Sequence, residues 1–157
     1  MKRMTAMLSA AALVVLTAGL MAQATNFAGK WTRQEDAAGA AAPGGGRGGR
    51  GGFGQEVTIT QDAKTITLEY MGGGQNPAPM KRVYNLDGSE SKNTMSFGGN
   101  SFEQVSKAKW DGGKLVITTA GQNGETTQTL SLTGGNLVVE QTGGRGGPTT
   151  VTYKKAM

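Results

Sequence analysis

Residues 57–70 read Val-Thr-Ile-Thr-Gln-Asp-Ala-Lys-Thr-Ile-Thr-Leu-Glu-Tyr. Val57, Ile59 and Gln61 alternate with Thr58 and Thr60. Beyond Asp62-Ala63-Lys64, Ile66, Leu68 and Tyr70 alternate with Thr65, Thr67 and Glu69. A period of two sends successive side chains to opposite faces of a strand, so each half has an apolar side and a Thr-rich side suited to water. The short polar connector fits a hairpin. The stretch therefore predicts two antiparallel, half-buried strands.

The same alternation recurs outward along the chain. Leu115, Ile117 and Thr119 share a face, as do Leu130 and Leu132, Leu137 and Val139, and Val151 and Tyr153. Weaker strands run through Lys81–Leu86, Lys92–Phe97 and Phe102–Trp110. The connectors Asp87-Gly88, Asp111-Gly112-Gly113, Asn123-Gly124 and Gly134-Gly135-Asn136 supply the positive φ angles of tight turns. Helical periodicity is absent after residue 24. The fold class expected is all-β, an antiparallel up-and-down meander of about eight to ten strands. A closed or nearly closed barrel is the natural way for it to hide its edges, with a strongly curved sheet as the alternative. Val57, Ile59, Ile66, Leu68, Leu115, Ile117, Leu130, Leu132, Leu137 and Val139 are expected inside.

The two remaining regions differ in kind. Residues 1–24 read as an export signal, with basic Lys2 and Arg3, an apolar run Leu8–Met21 and a small-x-small site at Ala22-Gln23-Ala24. The run is too short and too interrupted for a permanent membrane span. Residues 25–157 then form one barrel domain, periplasmic or secreted from a bacterium. Without Lys2 and Arg3 the net charge falls from +5 to +3. Within the domain, residues 37–54 hold nine glycines in 18 residues and read as a flexible Gly/Arg-rich insertion.

Composition also excludes chemistry. The chain of 157 residues has no Cys and no His. A Ser-His-Asp triad, a Cys-His pair and a zinc site of the usual N/S type are therefore all ruled out. The acidic residues show neither the spacing of a calcium loop nor an arguable pair for glycoside hydrolysis. The chain is expected to be no enzyme and to hold neither cofactor nor metal.

Asn26-Phe27-Ala28-Gly29-Lys30-Trp31-Thr32 resembles the opening of the calycins, the superfamily of lipocalins and intracellular fatty-acid-binding proteins. Lys109-Trp110-Asp111-Gly112-Gly113-Lys114-Leu115-Val116 looks like a hairpin of the fatty-acid-binding proteins, and Val151-Thr152-Tyr153-Lys154-Lys155-Ala156 like their last strand. The resemblance implies that Gly29 and Trp31 plug one barrel end. It also implies that a small apolar ligand lies inside, for which Tyr70, Tyr84 and Tyr153 are the candidate lining residues. Two departures matter. The Gly-rich segment stands where that family has a helical lid. The family's carboxylate-binding Arg-x-Tyr on the final strand is reduced to Tyr153, with Val151 in place of the arginine and Leu130 at the second arginine's position. With both cationic anchors gone, a neutral apolar ligand or a filled core is left, and the Val, Ile and Leu of the inner face favour a filled core.

Arg47 and Arg50, in a run resembling an RGG box, and Arg145 in Gly143-Gly144-Arg145-Gly146-Gly147 are candidates for weak contact with polyanions. Nucleic acid is not the expected partner, because three arginines neutralise few phosphates and export removes the chain from cellular RNA. Two functions stay open: an exported, lipocalin-like binder of a small apolar molecule, or a structural or interaction domain of the cell envelope. The second would act through its surface or its Gly/Arg loop.

Overall fold

The computed structural model describes residues 24–34, 52–72, 77–97, 99–121, 124–143 and 147–157. Ten strands follow in chain order: β1 (Gly29–Arg33), β2 (Glu56–Gln61), β3 (Thr65–Met71), β4 (Pro79–Asn85), β5 (Glu90–Phe97), β6 (Asn100–Asp111), β7 (Lys114–Gly121), β8 (Gly124–Thr133), β9 (Asn136–Gly143) and β10 (Thr149–Lys155). They form one antiparallel sheet in the order β4-β3-β2-β1-β10-β9-β8-β7-β6-β5. β1 joins the two halves of the meander by pairing with β10, Trp31 opposite Lys155 and Arg33 opposite Tyr153. No helix occurs among the described residues, and the expected all-β, nearly closed barrel is what forms.

The lateral edges, β4 and β5, meet without a backbone ladder. Edge N–H and C=O groups need partners, and here side chains provide them. Asn93 accepts from the Val83 N–H at 2.8 Å and donates to the Val83 carbonyl at 3.0 Å. Its amide thus stands in for one residue of a neighbouring strand. Ser91 Oγ accepts from the Asn85 N–H at 2.8 Å, which extends the seam.

The predicted alternation sets the register. Ile59 lies opposite Leu68 and Gln61 opposite Ile66. Leu115 lies opposite Leu130, and Leu130 opposite Val139. Nine of the ten residues expected inside are buried. Leu132 is the exception, at 38% exposure. It keeps the inward phase of Leu130, but the pairing of β7 with β8 stops at Leu115 opposite Leu130. Leu132 therefore runs past the end of that pairing.

Trp31 on β1 packs into the barrel interior, at 2% exposure. Its Nε1–H donates to the Phe27 carbonyl at 2.8 Å, and Phe27 stacks on Trp110 with centroids 6.0 Å apart. Gln61 holds the strap that carries Phe27. It accepts from the Phe27 N–H at 2.9 Å and donates to the Thr25 carbonyl at 3.0 Å. Gly29 has φ +143°, and a Cβ there would press on Lys155 Cε at 3.1 Å.

The outer face is polar. Four cross-strand ion pairs, Lys30–Glu56, Lys81–Glu69, Lys92–Glu103 and Lys107–Glu90, lie on it within 3.4 Å. All are exposed, so each contributes only a few tenths of a kcal/mol up to about 1.

The expected signal falls outside the described residues except for Ala24, and so does the insertion over residues 37–51. The last three residues of that insertion, Gly52-Phe53-Gly54, are described, and Phe53 is fully buried. Here the barrel takes up a side chain that the sequence reading assigned to a loop.

Candidate functional site

Toward the end opposite Trp31, the inner wall changes character. On β6 to β9 the positions in phase with Ala108, Ile117, Leu130 and Val139 become Ser106, Thr119, Gln128 and Gln141. Ser106 and Thr119 share a hydrogen bond at 2.8 Å, and Gln128 Nε2 donates to Gln141 Oε1 at 3.1 Å. Ser91 and Asn93 continue the polar wall on β5, both buried. An interior made of Val, Ile and Leu throughout, the basis for expecting a filled core, is not what the barrel has.

The three candidate tyrosines face the interior from β3, β4 and β10, Tyr84 in register with Ile66 and Gln61 and Tyr70 with Val57. Tyr84 and Tyr153 are fully buried, and Tyr70 is half-buried. Tyr153 Oη accepts from the Phe53 N–H and donates to the Gly54 carbonyl. The Phe53 ring lies tilted against Tyr70, centroids 5.4 Å apart. Tyr70 and Tyr153 are therefore joined through Phe53. Burial pushes the Tyr70 phenol up to about 12, against a smaller downward pull from Arg82. Burial likewise raises Tyr153, opposed by its bond to the Phe53 N–H and by the charge of Arg33.

Sequence reasoning missed Arg82. It shares a face of β4 with Tyr84 and is half-buried, its guanidinium 5.7 Å from the centroid of the Tyr70 ring. Burial works against its charge, but the neighbouring Tyr84 and Tyr70 oxygens outweigh that, and its pKa moves up. The arginine is charged at any physiological pH. The signal that could have found it was the period of two itself. Once Tyr84 is inside, Arg82 must be inside too. The positions where the resemblance places cationic anchors are apolar and buried, Val151 at 3% and Leu130 at 0% exposure.

Three buried polar atoms among the described residues have no hydrogen-bond partner: Arg82 Nε, Tyr84 Oη and Thr149 Oγ1. Thr149 lies opposite Gln141 on the polar wall. No described carboxylate answers Arg82. Glu56, Asp62, Glu69, Asp87, Glu90, Glu103, Asp111, Glu125 and Glu140 are all exposed. Nor do the described residues contain a cluster of three His, Cys, Asp or Glu able to hold a metal.

A groove of about 400 Å3 lies elsewhere, lined by Lys30, Glu56, Thr58, Glu69, Tyr70, Met71, Pro79, Met80 and Lys81. Most of these point outward, so the groove runs over the outer surface of β1 to β4 and shares only Tyr70 with the candidate tyrosines. Arg47, Arg50 and Arg145, the candidate polyanion contacts, lie outside the described residues.

A ten-stranded antiparallel meander, continuous through β1 and β10 and nearly closed at the β4–β5 seam, is the barrel architecture that the sequence resemblance implied. Among solved structures, the wild-type fluorescent protein UnaG is similar at TM-score 0.62 and 22% identity, covering 83% of this chain and 97% of that one. A point mutant of the fatty acid transporter REP1-NXSQ is similar at TM-score 0.54 and 13% identity, covering 82% and 97%. Zebrafish ileal bile acid-binding protein complexed with cholic acid is similar at TM-score 0.53 and 22% identity, covering 83% and 98%. No protein-family model matches the chain, and no curated protein matches its sequence.

Proposed function

We propose that this chain is an exported, non-catalytic calycin-type barrel that binds a small, largely apolar molecule in its interior. The observation that carries the reading is the set of unpartnered polar atoms at Arg82, Tyr84 and Thr149. A buried polar group left unsatisfied costs about 1–3 kcal/mol, and these atoms lie on inward-facing positions of β4 and β10. A bound molecule that answers them removes that cost. The similar barrels named for fatty acid transport and bile acid binding support the same reading. Export is supported by the hydrogen bonds of Thr25 and Phe27 to the barrel, which begin directly after the Ala22-Gln23-Ala24 site.

The alternative, a filled barrel acting in the cell envelope through its surface, is supported by the complete burial of Tyr84, Tyr153 and Phe53. Native mass spectrometry of the protein purified from its own host separates the two. A co-purifying small molecule released by organic extraction is expected. A bare polypeptide mass in every preparation would favour the filled barrel.

A further inference from the structure

Resting on that reading, we infer that Phe53 is a built-in stopper. Its ring fills a part of the interior that the ligand takes, and binding turns it out on Gly52 and Gly54. Gly52 lies against Val151 and Tyr153 of β10, and Gly54 against the Met71 carbonyl of β3. Gly52-Phe53-Gly54 therefore crosses from the last strand to the third, with the Phe53 side chain fully buried and its ring tilted against Tyr70. The segment occupies Tyr70 through that ring and Tyr153 through its hydroxyl. These are two of the three tyrosines that the proposed function gives to the ligand. Stopper and ligand compete for the same groups.

The attachment of the segment is suited to release. Sheet pairing begins just after it, where the Arg33 N–H donates to the Gln55 carbonyl at 2.7 Å and β2 starts at Glu56. The Phe53 N–H and the Gly54 carbonyl share a single partner, the Tyr153 hydroxyl, at 2.6 and 3.2 Å. Losing that one hydroxyl frees both, whereas a strand residue is held by a ladder. Phe27 is the only other buried apolar residue outside the strands among those described, and it is fastened separately by Gln61, by Trp31 and by its stack on Trp110. Gly52 and Gly54, at φ +80° and +74°, lie in a region that glycine enters and leaves at little cost. They are the hinges. A closed stopper lowers the apparent affinity of the wild-type barrel by the fraction of molecules in which it is open.

The test uses methyl laurate, a neutral apolar chain. Hydrogen exchange on the wild-type protein comes with and without the ester. The Phe53 amide is expected to exchange at least about tenfold faster in the complex while Leu130 slows, since binding stabilises the barrel but opens the clip. Titration calorimetry then compares wild type with Phe53→Ala and Gly52→Ala. The first removes the stopper. The second keeps its ring but sets a Cβ at 2.5 Å from Tyr153 Oη, which favours the open form. Each should bind the ester at least about tenfold more tightly than wild type, the affinity equivalent of burying one aromatic side chain. Binding by the variants with none by wild type also supports the inference. A Phe53 amide that slows together with Leu130 when the ester binds, or unchanged affinity in both variants, overturns it and leaves interior binding intact. Phe53 is then a fixed part of the core. If neither variant folds, the exchange result on wild type decides alone. No binding to any folded form overturns both the inference and the reading it rests on.

Discussion

The hydroxyl of Tyr153 accepts a hydrogen bond from the backbone N–H of Phe53 at 2.6 Å, across 100 residues of sequence. The same oxygen donates to the Gly54 carbonyl at 3.2 Å. One side chain on the last strand thus clips the end of the Gly-rich segment into the barrel. The two glycines around Phe53 are part of this clip. Gly52 has φ +80° and a Cβ there would meet Tyr153 Oη at 2.5 Å, while a Cβ on Gly54 would meet the Met71 carbonyl oxygen at 2.7 Å.

Substitutions at this clip separate Phe53 from the rest of its segment. Phe53→Ala is expected to cost about 3–5 kcal/mol as a large-to-small core change, and Tyr153→Phe about 1–3 kcal/mol through the unsatisfied Phe53 N–H. Deleting residues 38–51 while keeping Gly52-Phe53-Gly54 should leave the midpoint nearly unchanged, since loop closure entropy varies slowly with length. Thermal unfolding checks all three. A fall of more than about 10 °C on the deletion would mean that the removed residues pack on the barrel.

Gln61 is expected to hold the N-terminal strap closed. Gln61→Ala removes the acceptor for the Phe27 N–H and the donor for the Thr25 carbonyl. A loss of about 1–3 kcal/mol is expected, because Phe27 is buried. Hydrogen exchange at the Phe27 amide should speed up in this variant while exchange at Leu130 does not. Equal acceleration at both would indicate global destabilisation and no local strap.

The seam between β4 and β5 depends on Asn93 in the same way. Asn93→Ala leaves the Val83 N–H and carbonyl without their partner, and Asn93→Asp keeps an acceptor but loses the donor. The first is expected to be the more destabilising of the two at neutral pH, by chemical denaturation. Identical midpoints for wild type and N93A would show that the seam needs no side-chain bridge.

Alkaline pH should unfold the barrel through its tyrosines. The Tyr70 phenol is raised to about 12 in the folded protein, first by burial, and Tyr153 is raised for the same reason. An unfolded tyrosine ionises near 10, so above that pH the unfolded state binds fewer protons than the folded one. Stability is then full below about 10 and is lost as pH rises from about 10 to about 12. Ultraviolet titration should show delayed phenolate formation. In R82M the Tyr70 phenol should rise further, because the arginine charge that lowers it is gone.

Much of this was legible in the sequence. The Thr-laced alternation placed Val57, Ile59, Ile66 and Leu68 on the inner face, and the same register holds in the sheet. Trp31, singled out by the resemblance, is buried. What escaped had physical reasons. Leu132 keeps the inner phase but outruns its neighbour β7, and alternation carries no information about where a partner strand stops. Phe53 is flanked by glycines of no strand propensity, so only its long-range bond to Tyr153 reveals its burial. Arg82 follows Lys81 in a strand of weak pattern, where two adjacent cations suggest a solvated edge. The period counted from Tyr84 was the stronger evidence. Thr119 was already placed on the face of Leu115 and Ile117, but the rest of the polar wall, Ser106, Gln128 and Gln141, was hidden, since polar residues on an inner face break the alternation used to find that face.

On the proposed reading, the interior of the barrel, and not the outer groove over β1 to β4, receives the ligand. The most direct measurement is a two-dimensional NMR titration of the protein with laurate and with methyl laurate, following backbone amides and the Arg82 Nε–H. Shifts are expected to concentrate at Leu68, Arg82, Tyr84, Asn93 and Gln128. Shifts confined to Lys30, Glu56, Glu69 and Lys81, or no shifts with either probe, would contradict it.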